Sequence, residues 1–104
     1  MITVVWSQHA IDMADIIFQE AKCLFGEKAY QRIIDRIDYL QKRLSQMPRI
    51  GSYEEALKDE EGEYRFLTIN ERFKLVYEVV DETNVLIIAV WDFKQNPNSM
   101  RYFI

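Results

Sequence analysis

The longest apolar run of the chain extends from Val85 to Phe93 and reads Val-Leu-Ile-Ile-Ala-Val-Trp-Asp-Phe. Seven apolar residues precede Asp92, and most are β-branched or aromatic, which is typical of a strand buried on both faces. The run is far shorter than the roughly 20 residues that a membrane-spanning helix needs. We therefore predict an interior strand of a small sheet that the rest of the chain covers.

A short strand and two helices are predicted before this run. Ile2–Trp6 is rich in β-branched residues and indicates a first strand, and Ser7 can cap the helix that follows it. That helix ends at Gly26, and a second helix runs from about Lys28 to Gln46, so the short break predicts an antiparallel hairpin that lies across the sheet. The apolar positions at helical spacing are Ile11, Ala14, Phe18, Ala21 and Phe25 in the first helix, and Tyr30, Ile33, Ile37, Leu40 and Leu44 in the second.

Strands in close succession are predicted for the second half of the chain. Pro48 ends the second helix, and the acidic segment Ser52–Gly62 is predicted as a surface connection with one helical turn at Tyr53–Lys58. Glu63–Ile69 and Phe73–Val80 alternate in polarity, and short turns join them to the central run as an antiparallel meander. We predict one α+β domain over residues 1–104, with the helical hairpin packed on one face of the sheet.

Composition and charge narrow the class of protein. Apolar residues make up 49% of the chain, with only 3 Gly and 2 Pro, which argues against long disordered regions. The net charge is −4, and because Glu54–Glu63 contains six acids and one lysine, the remaining residues sum to +1. We expect no attraction of the whole protein to nucleic acid, although a local basic patch is compatible with these charges. A single cysteine, Cys23, and no signal-peptide pattern predict a cytoplasmic protein without a membrane segment.

Candidate chemistry is limited to a set of cations. His9 is the only histidine and is predicted to lie at the surface, so neither a Cys–His pair nor a multi-histidine metal site is expected. There is no glycine-rich phosphate loop, and we expect no cofactor. Arg65 and Lys74 are expected to project from a solvent-facing side of the sheet, where cations bind phosphate or simply discourage aggregation. The full set is Arg65, Arg72, Lys74, Lys94 and Arg101, with Tyr102 next in the sequence.

Several motifs occur in the order and spacing of a known toxin superfamily. They are Val5-Trp6-Ser7 followed by Ala10, Pro48 with Gly51, Tyr64-Arg65 with Phe73–Val79, and Ile88–Pro97. Together with the element order, they resemble the RelE/ParE superfamily of bacterial toxins over nearly the whole chain. The resemblance implies the toxin of a type II toxin–antitoxin pair, which a cognate antitoxin neutralises.

Two activities divide this superfamily. RelE-like members cleave messenger RNA in the ribosome without a metal, using clustered Lys and Arg residues and a C-terminal Tyr, whereas ParE-like members poison DNA gyrase. The positions here that match the catalytic set are Arg65, Lys74, Lys94 and Tyr102. Lys74 stands where that set usually has Arg, which loses the bidentate fork for a phosphate, and a second basic position falls on Leu67. The incomplete set favours the ParE-like branch, for which we predict Trp91 and Arg101 as binding residues.

The favoured function is therefore a ParE-like toxin of the plasmid-stabilisation type that inhibits DNA gyrase. The alternatives are a RelE-like ribosome-dependent endoribonuclease, which would be an enzyme, and a degenerate member without toxicity. The acidic Glu54–Glu63 segment disfavours docking on ribosomal RNA, because phosphate attraction supplies much of that affinity. The expected partners are a cognate antitoxin and either gyrase or the ribosome, in a homodimer or in a heterotetramer with the antitoxin.

Overall fold

The computed structural model describes all residues from 1 to 104, and in it two long helices cover one face of a five-stranded sheet. The predicted α+β architecture is therefore confirmed. The helices are α1 (Gln8–Phe25) and α2 (Glu27–Gln46), and two 3₁₀ helices are η1 (Glu55–Leu57) and η2 (Pro97–Phe103). The strands are β1 (Thr3–Trp6), β2 (Ser52–Tyr53), β3 (Glu63–Thr68), β4 (Phe73–Asp81) and β5 (Asn84–Asp92).

The strand β5 is interior, as the apolar run predicted. The sheet order is β1-β5-β4-β3-β2, in which β1 runs parallel to β5 and the other pairs are antiparallel. Tyr77 lies opposite Ile87 and Val76 lies opposite Ala89, so Ile88 is an extra residue in β5. Because of this β-bulge, Ile88 and Ala89 both pack on the same side of the sheet, although they are consecutive.

Two hydrophobic clusters lie on opposite sides of the sheet. The first lies between the sheet and the two helices, and we call this side the helix face. The second lies on the other side, the outer face, where η1 and η2 cover it. The helix-face cluster includes Ile17, Ile37, Leu44, Leu75, Tyr77 and Ile87, and the outer-face cluster consists of Leu57, Val76, Ile88, Ala89, Trp91 and Met100.

The start of α1 is fixed to the sheet by its cap. The Ser7 hydroxyl accepts a hydrogen bond from the Ala10 N–H at 3.1 Å, and the Ser7 N–H donates to the Ile87 carbonyl at 2.9 Å. Gly26 ends α1 with a φ of 87°, a conformation that favours glycine, and α2 follows at once. The predicted helical hairpin is thus present, with α2 beginning one residue earlier than expected.

The buried face of α1 differs from the prediction. The residues that face the sheet are Ala10, Ala14, Ile17 and Ala21, because small alanines allow the helix to approach it closely. Ile11 and Phe25 are exposed, and Phe18 packs edge-on against Tyr30 at 6.0 Å between ring centroids. Ile11 and Phe18 therefore line a groove between the helices. Ile11 is outside the core, whereas Phe18 also packs against the edge of the core beneath the helices.

The acidic connection is more ordered than predicted. Its first residues form β2, which pairs with β3, and its single helical turn is the three-residue η1. Glu54 is buried and not at the surface, because it faces Lys74 and its carboxylate accepts a hydrogen bond from the Ala56 N–H at 3.2 Å. The segment therefore adds the edge strand β2 to the sheet, and its helical turn η1 covers part of the outer face.

Candidate functional site

Lys74 lies on the outer face and is buried, contrary to the prediction of a solvent-facing cation. Only 8% of the residue is exposed, and its ammonium group forms an ion pair with Glu54, which is 4% exposed. The Nζ atom also lies 4.7 Å from the ring centroid of Phe66 and 5.6 Å from that of Phe93. Lys74 is thus enclosed by a carboxylate and two aromatic rings and has no open side for a phosphate.

Arg65 lies on the opposite side of the sheet. It pairs with Tyr77, a member of the helix-face cluster, and directly opposed residues of neighbouring strands share one face. Its guanidinium donates to Glu63 at 2.8 Å and to the Gly51 carbonyl at 2.8 Å, and it stacks 4.1 Å from the ring centroid of Tyr53. Arg65 therefore fixes the connection after α2 to β3 and is also not free.

The electrostatics around Arg65 confirm that its charge is engaged. Burial pushes the pKa of Glu63 upward, but hydrogen bonds from Arg65 and Arg49 more than offset this, so the pKa lies below its ordinary value. Burial raises the pKa of Tyr77, whose hydroxyl accepts a hydrogen bond from the Gly51 N–H at 3.0 Å. In this network of hydrogen bonds and ion pairs each group has a partner, and the contacts stabilise the local structure.

The remaining predicted residues lie at the C-terminal end of the chain. Trp91 is in β5 and only 1% exposed, with its ring 5.9 Å from that of Phe103. Lys94 follows β5 in a turn and is exposed, and in η2 the Arg101 guanidinium lies 5.5 Å from the ring of Tyr102, which is 73% exposed. Lys94, Arg101 and Tyr102 are accessible, whereas Trp91 is buried.

His9 differs from its predicted surface position. Its ring stacks on Phe103 with 4.3 Å between centroids and a 4° interplanar angle, and its Nε2 atom is buried without a hydrogen-bond partner. The reason is that η2 folds back over the start of α1 and buries its own Met100 completely. This contact between the ends of the chain could not be read from the sequence.

A groove of about 260 Å³ lies between α1 and α2. Trp6, Ile11, Phe18 and Ile34 give it apolar walls, and the Trp6 indole N–H donates to the Gln41 side chain at 2.8 Å at its edge. Two carboxylates, Asp15 and Asp38, complete the lining. The helical spacing places Ile11 and Phe18 on the predicted core face, so the groove does not follow from the sequence pattern. Their positions at the edge of that face are the available signal.

No metal centre accompanies these surfaces. Nowhere do three or more His, Cys, Asp or Glu side chains come together in a way that could hold a metal ion. Neither α1 nor α2 combines the length and the apolar character that crossing a bilayer would require. What the geometry offers is therefore a divided set of strand cations, an accessible C-terminal segment and an apolar groove.

The family assignment comes from comparison with a family model. The model that describes the ParE toxin of the type II toxin–antitoxin system parDE matches residues 4–97 of the chain. The chain belongs to the ParE toxin family. Comparison with curated proteins by sequence finds no match.

Solved structures share the fold of this ParE-family toxin. The chromosomal ParDE TA system from P. aeruginosa superimposes with a TM-score of 0.68 at 20% identity, covering 88% of this chain and 96% of that chain. The YoeB/ParE toxin from Agrobacterium tumefaciens gives 0.60 at 20% identity, covering 88% and 98%. The YoeB–YefM heterotetramer from Staphylococcus aureus gives 0.55 at 19% identity, covering 91% and 99%. The family match confirms the predicted superfamily, and the solved structures show that the shared fold spans most of the chain.

Proposed function

We propose that this ParE-family toxin inhibits DNA gyrase in the cytoplasm and does not cleave RNA. The supporting observation is that the two strand cations are separated by the sheet and neutralised, Arg65 by Glu63 and Lys74 by Glu54. A metal-independent nuclease without a suitable histidine must gather several free cations around one phosphate. A toxin that acts by binding another protein does not need such a cluster of free cations.

A purified-protein assay tests this proposal. We expect the toxin to block supercoiling by DNA gyrase and to trap cleaved DNA in the reaction. Arg101→Ala should weaken inhibition, because Arg101 is the exposed member of the two predicted binding residues, whereas Lys42→Ala on α2 should not. Normal supercoiling without trapped DNA at excess toxin would contradict the assignment.

The second candidate is the ribosome-dependent endoribonuclease, favoured by the accessible Lys94, Arg101 and Tyr102. Primer extension on a translated message distinguishes the two. Cleavage that disappears in Tyr102→Phe would establish the nuclease, while an intact message would exclude it. A protein that shows neither activity and no growth arrest on expression would be the degenerate member.

We further propose that a cognate antitoxin neutralises the toxin and that the groove between α1 and α2 receives part of it. The neighbouring structures include toxin–antitoxin assemblies, one of them heterotetrameric, and apolar grooves between helices are common peptide sites. Ile11→Glu inside the groove should weaken co-purification with the product of the adjacent reading frame. Ile16→Glu, on α1 but outside the groove, is the matched control. Equal effects of both variants would move the antitoxin site elsewhere.

A further inference from the structure

One side of α2 carries a row of cations without any acid among them. At about 100° per residue, Lys28, Arg32, Arg36 and Arg43 fall within an arc of about 80°, together with Tyr39. The row is roughly 22 Å long at 1.5 Å per residue. We call these four cations the basic arc. Of the acids of α2, Asp35 borders this arc at about 20° from Lys28, and the other acids lie farther round the helix.

The basic arc is free of ion pairs. None of the six ion pairs of the structure involves any of its four members. Arg36 donates to the Thr68 carbonyl at 3.3 Å, and its guanidinium lies 5.3 Å from the ring centroid of Tyr39, so neither of these partners is an acid. Between α2 and the β3–β4 turn, Arg32 and Arg36 flank a cleft of about 330 Å³ whose floor includes the buried Ile33 and Ile69. Glu71 of the turn also lines this cleft but forms no ion pair with either arginine.

The acidic segment contains a complementary set of free acids. Glu54 and Glu63 are used inside the molecule, but Glu55, Asp59, Glu60 and Glu61 form no ion pair. Leu57, which is buried in the outer-face cluster, anchors these four acids to the sheet. They make the local electrostatic potential more negative. The pKa of Tyr64 reflects this: burial is the largest cause that raises this pKa, and Glu78, Glu60 and Glu61 raise it further.

We propose that the basic arc of one molecule binds the acidic segment of a second copy of this chain. The basic arc offers four unpaired cations, and the acidic segment offers four unpaired acids. Lys58 is the only cation among those acids. Within one molecule the two sets cannot meet, because α2 packs on the helix face and η1 packs on the outer face. The contact is therefore intermolecular and joins two different surfaces.

A contact between different surfaces is heterologous, so it continues from copy to copy unless the rotation closes a ring. The expected assembly is reversible and grows beyond a dimer with concentration. Exposed ion pairs are weak individually, so the association should depend steeply on ionic strength. A second copy fits the arc better than nucleic acid does, because the repulsion between two chains of net charge −4 is smaller than the repulsion between such a chain and a polymer with a negative charge on every nucleotide.

Sedimentation velocity of the purified full-length protein tests this association. In about 10 mM salt, where the Debye length is about 30 Å, we expect species larger than a dimer, and in about 1 M salt we expect monomers. Neutralising the arc with Arg32→Gln, Arg36→Gln and Arg43→Gln should weaken self-association about tenfold or more. Neutralising the segment with Glu55→Gln, Asp59→Asn and Glu61→Gln should have the same effect.

The decisive measurement mixes the two triple variants. Each has lost one of the two surfaces, so an equimolar mixture retains one complementary contact and should form a complex that stops at two chains. Lys22→Gln with Lys42→Gln, which lie outside the arc, should self-associate like the wild type. Circular dichroism of each variant confirms that it is folded. Monomeric wild type at low salt, or a mixture that does not associate, would overturn the proposal. So would an association that a nuclease abolishes, which would assign the arc to nucleic acid.

Discussion

At the scale of single residues, the Lys74–Glu54 pair is the contact with the largest expected effect on stability. Both groups are buried, and removing one partner of a buried pair typically costs about 3–5 kcal/mol, whereas neutral replacement of both is often tolerated. We expect Lys74→Met to lower the unfolding free energy by about that amount in urea denaturation. Adding Glu54→Gln, which keeps an oxygen for the Ala56 N–H, should restore most of the loss.

The exposed Lys94 supplies the control for this cycle. Lys94→Met removes the same charge from a side chain without an ion pair, so a change within about 0.5 kcal/mol is expected. If the double variant were no more stable than Lys74→Met alone, Glu54 would hold η1 by its helix cap and not through the ion pair.

Glu63 should contribute to the acid sensitivity of the fold. Its pKa is lower in the folded protein than its ordinary value of 4.5, because hydrogen bonds from Arg65 and Arg49 outweigh burial. The carboxylate therefore stabilises the protein above the unfolded pKa, and this stability is lost as the pH falls from about 5 through the folded pKa. In urea denaturation at a series of pH values, Glu63→Gln should be less stable than wild type at neutral pH, and the two should converge in acid. Parallel pH profiles would show that this carboxylate is not linked to folding.

The sequence was sufficient to predict which face of the sheet Arg65 and Lys74 each occupy, but not that they are buried. Alternation along β4 puts Lys74 opposite in facing to Leu75, and pairing Leu67 with Leu75 puts Arg65 on the same face as Leu75. Extending the predicted hairpin register would therefore have separated the two cations. The ion pair of Lys74 with Glu54 and the hydrogen bond from Arg65 to the Gly51 carbonyl both involve a segment whose path the local pattern does not determine.

At the scale of elements, the connection after α2 is the least predictable part of the fold. The two-residue β2 is too short for alternation to be visible, and it is held by contacts from distant positions in the sequence. Tyr77 and Arg65 both bind Gly51, immediately before β2. By contrast, α1, α2 and β4 have enough periodic residues, and β5 has a long enough apolar run, to be predicted within one or two positions. The register shifts at Ile88 and at Val80 lack a local signal.

Gly51 tests how strongly this connection is coupled to the sheet. An added Cβ would overlap the Phe66 carbonyl oxygen and lie 2.7 Å from the Tyr77 hydroxyl. We expect Gly51→Ala to displace β2 and to destabilise the protein by about 2–4 kcal/mol in thermal or urea unfolding, because a buried hydrogen bond and close packing are lost together. Gly26→Ala is the control: nothing lies within 4 Å of its added Cβ, so only the strain of its backbone conformation (φ 87°, ψ 179°) remains, at about 1–3 kcal/mol. A smaller loss for Gly51→Ala than for Gly26→Ala would mean that the connection yields easily.

At the scale of the whole molecule, one sheet supports two different covers. The helix face is buried by a predictable amphipathic hairpin, and the outer face by η1 and the C-terminal η2, whose short sequences have no periodicity that indicates packing. The proposed functional surfaces follow this division. The groove lies in the helical cover, and the exposed Arg101 and Tyr102 lie in the C-terminal cover. The proposed functions therefore depend on what covers the sheet more than on side chains within it.

Ile88→Asp tests whether the outer face is a true core. Ile88 is the bulged residue of β5, it is 3% exposed, and its neighbours in the outer-face cluster are apolar. A carboxylate there would be buried without a partner. The free-energy cost of burying it is comparable to the total stability of about 5–15 kcal/mol expected for a small domain. We expect the variant to lose its cooperative thermal transition and its near-ultraviolet circular dichroism. Val80→Asp, at an exposed position of β4, places the same charge on the neighbouring strand and should melt like the wild type. If Ile88→Asp melted cooperatively near the wild-type temperature, η1 and η2 would be loose coverings, and the fold would depend on the helix face alone.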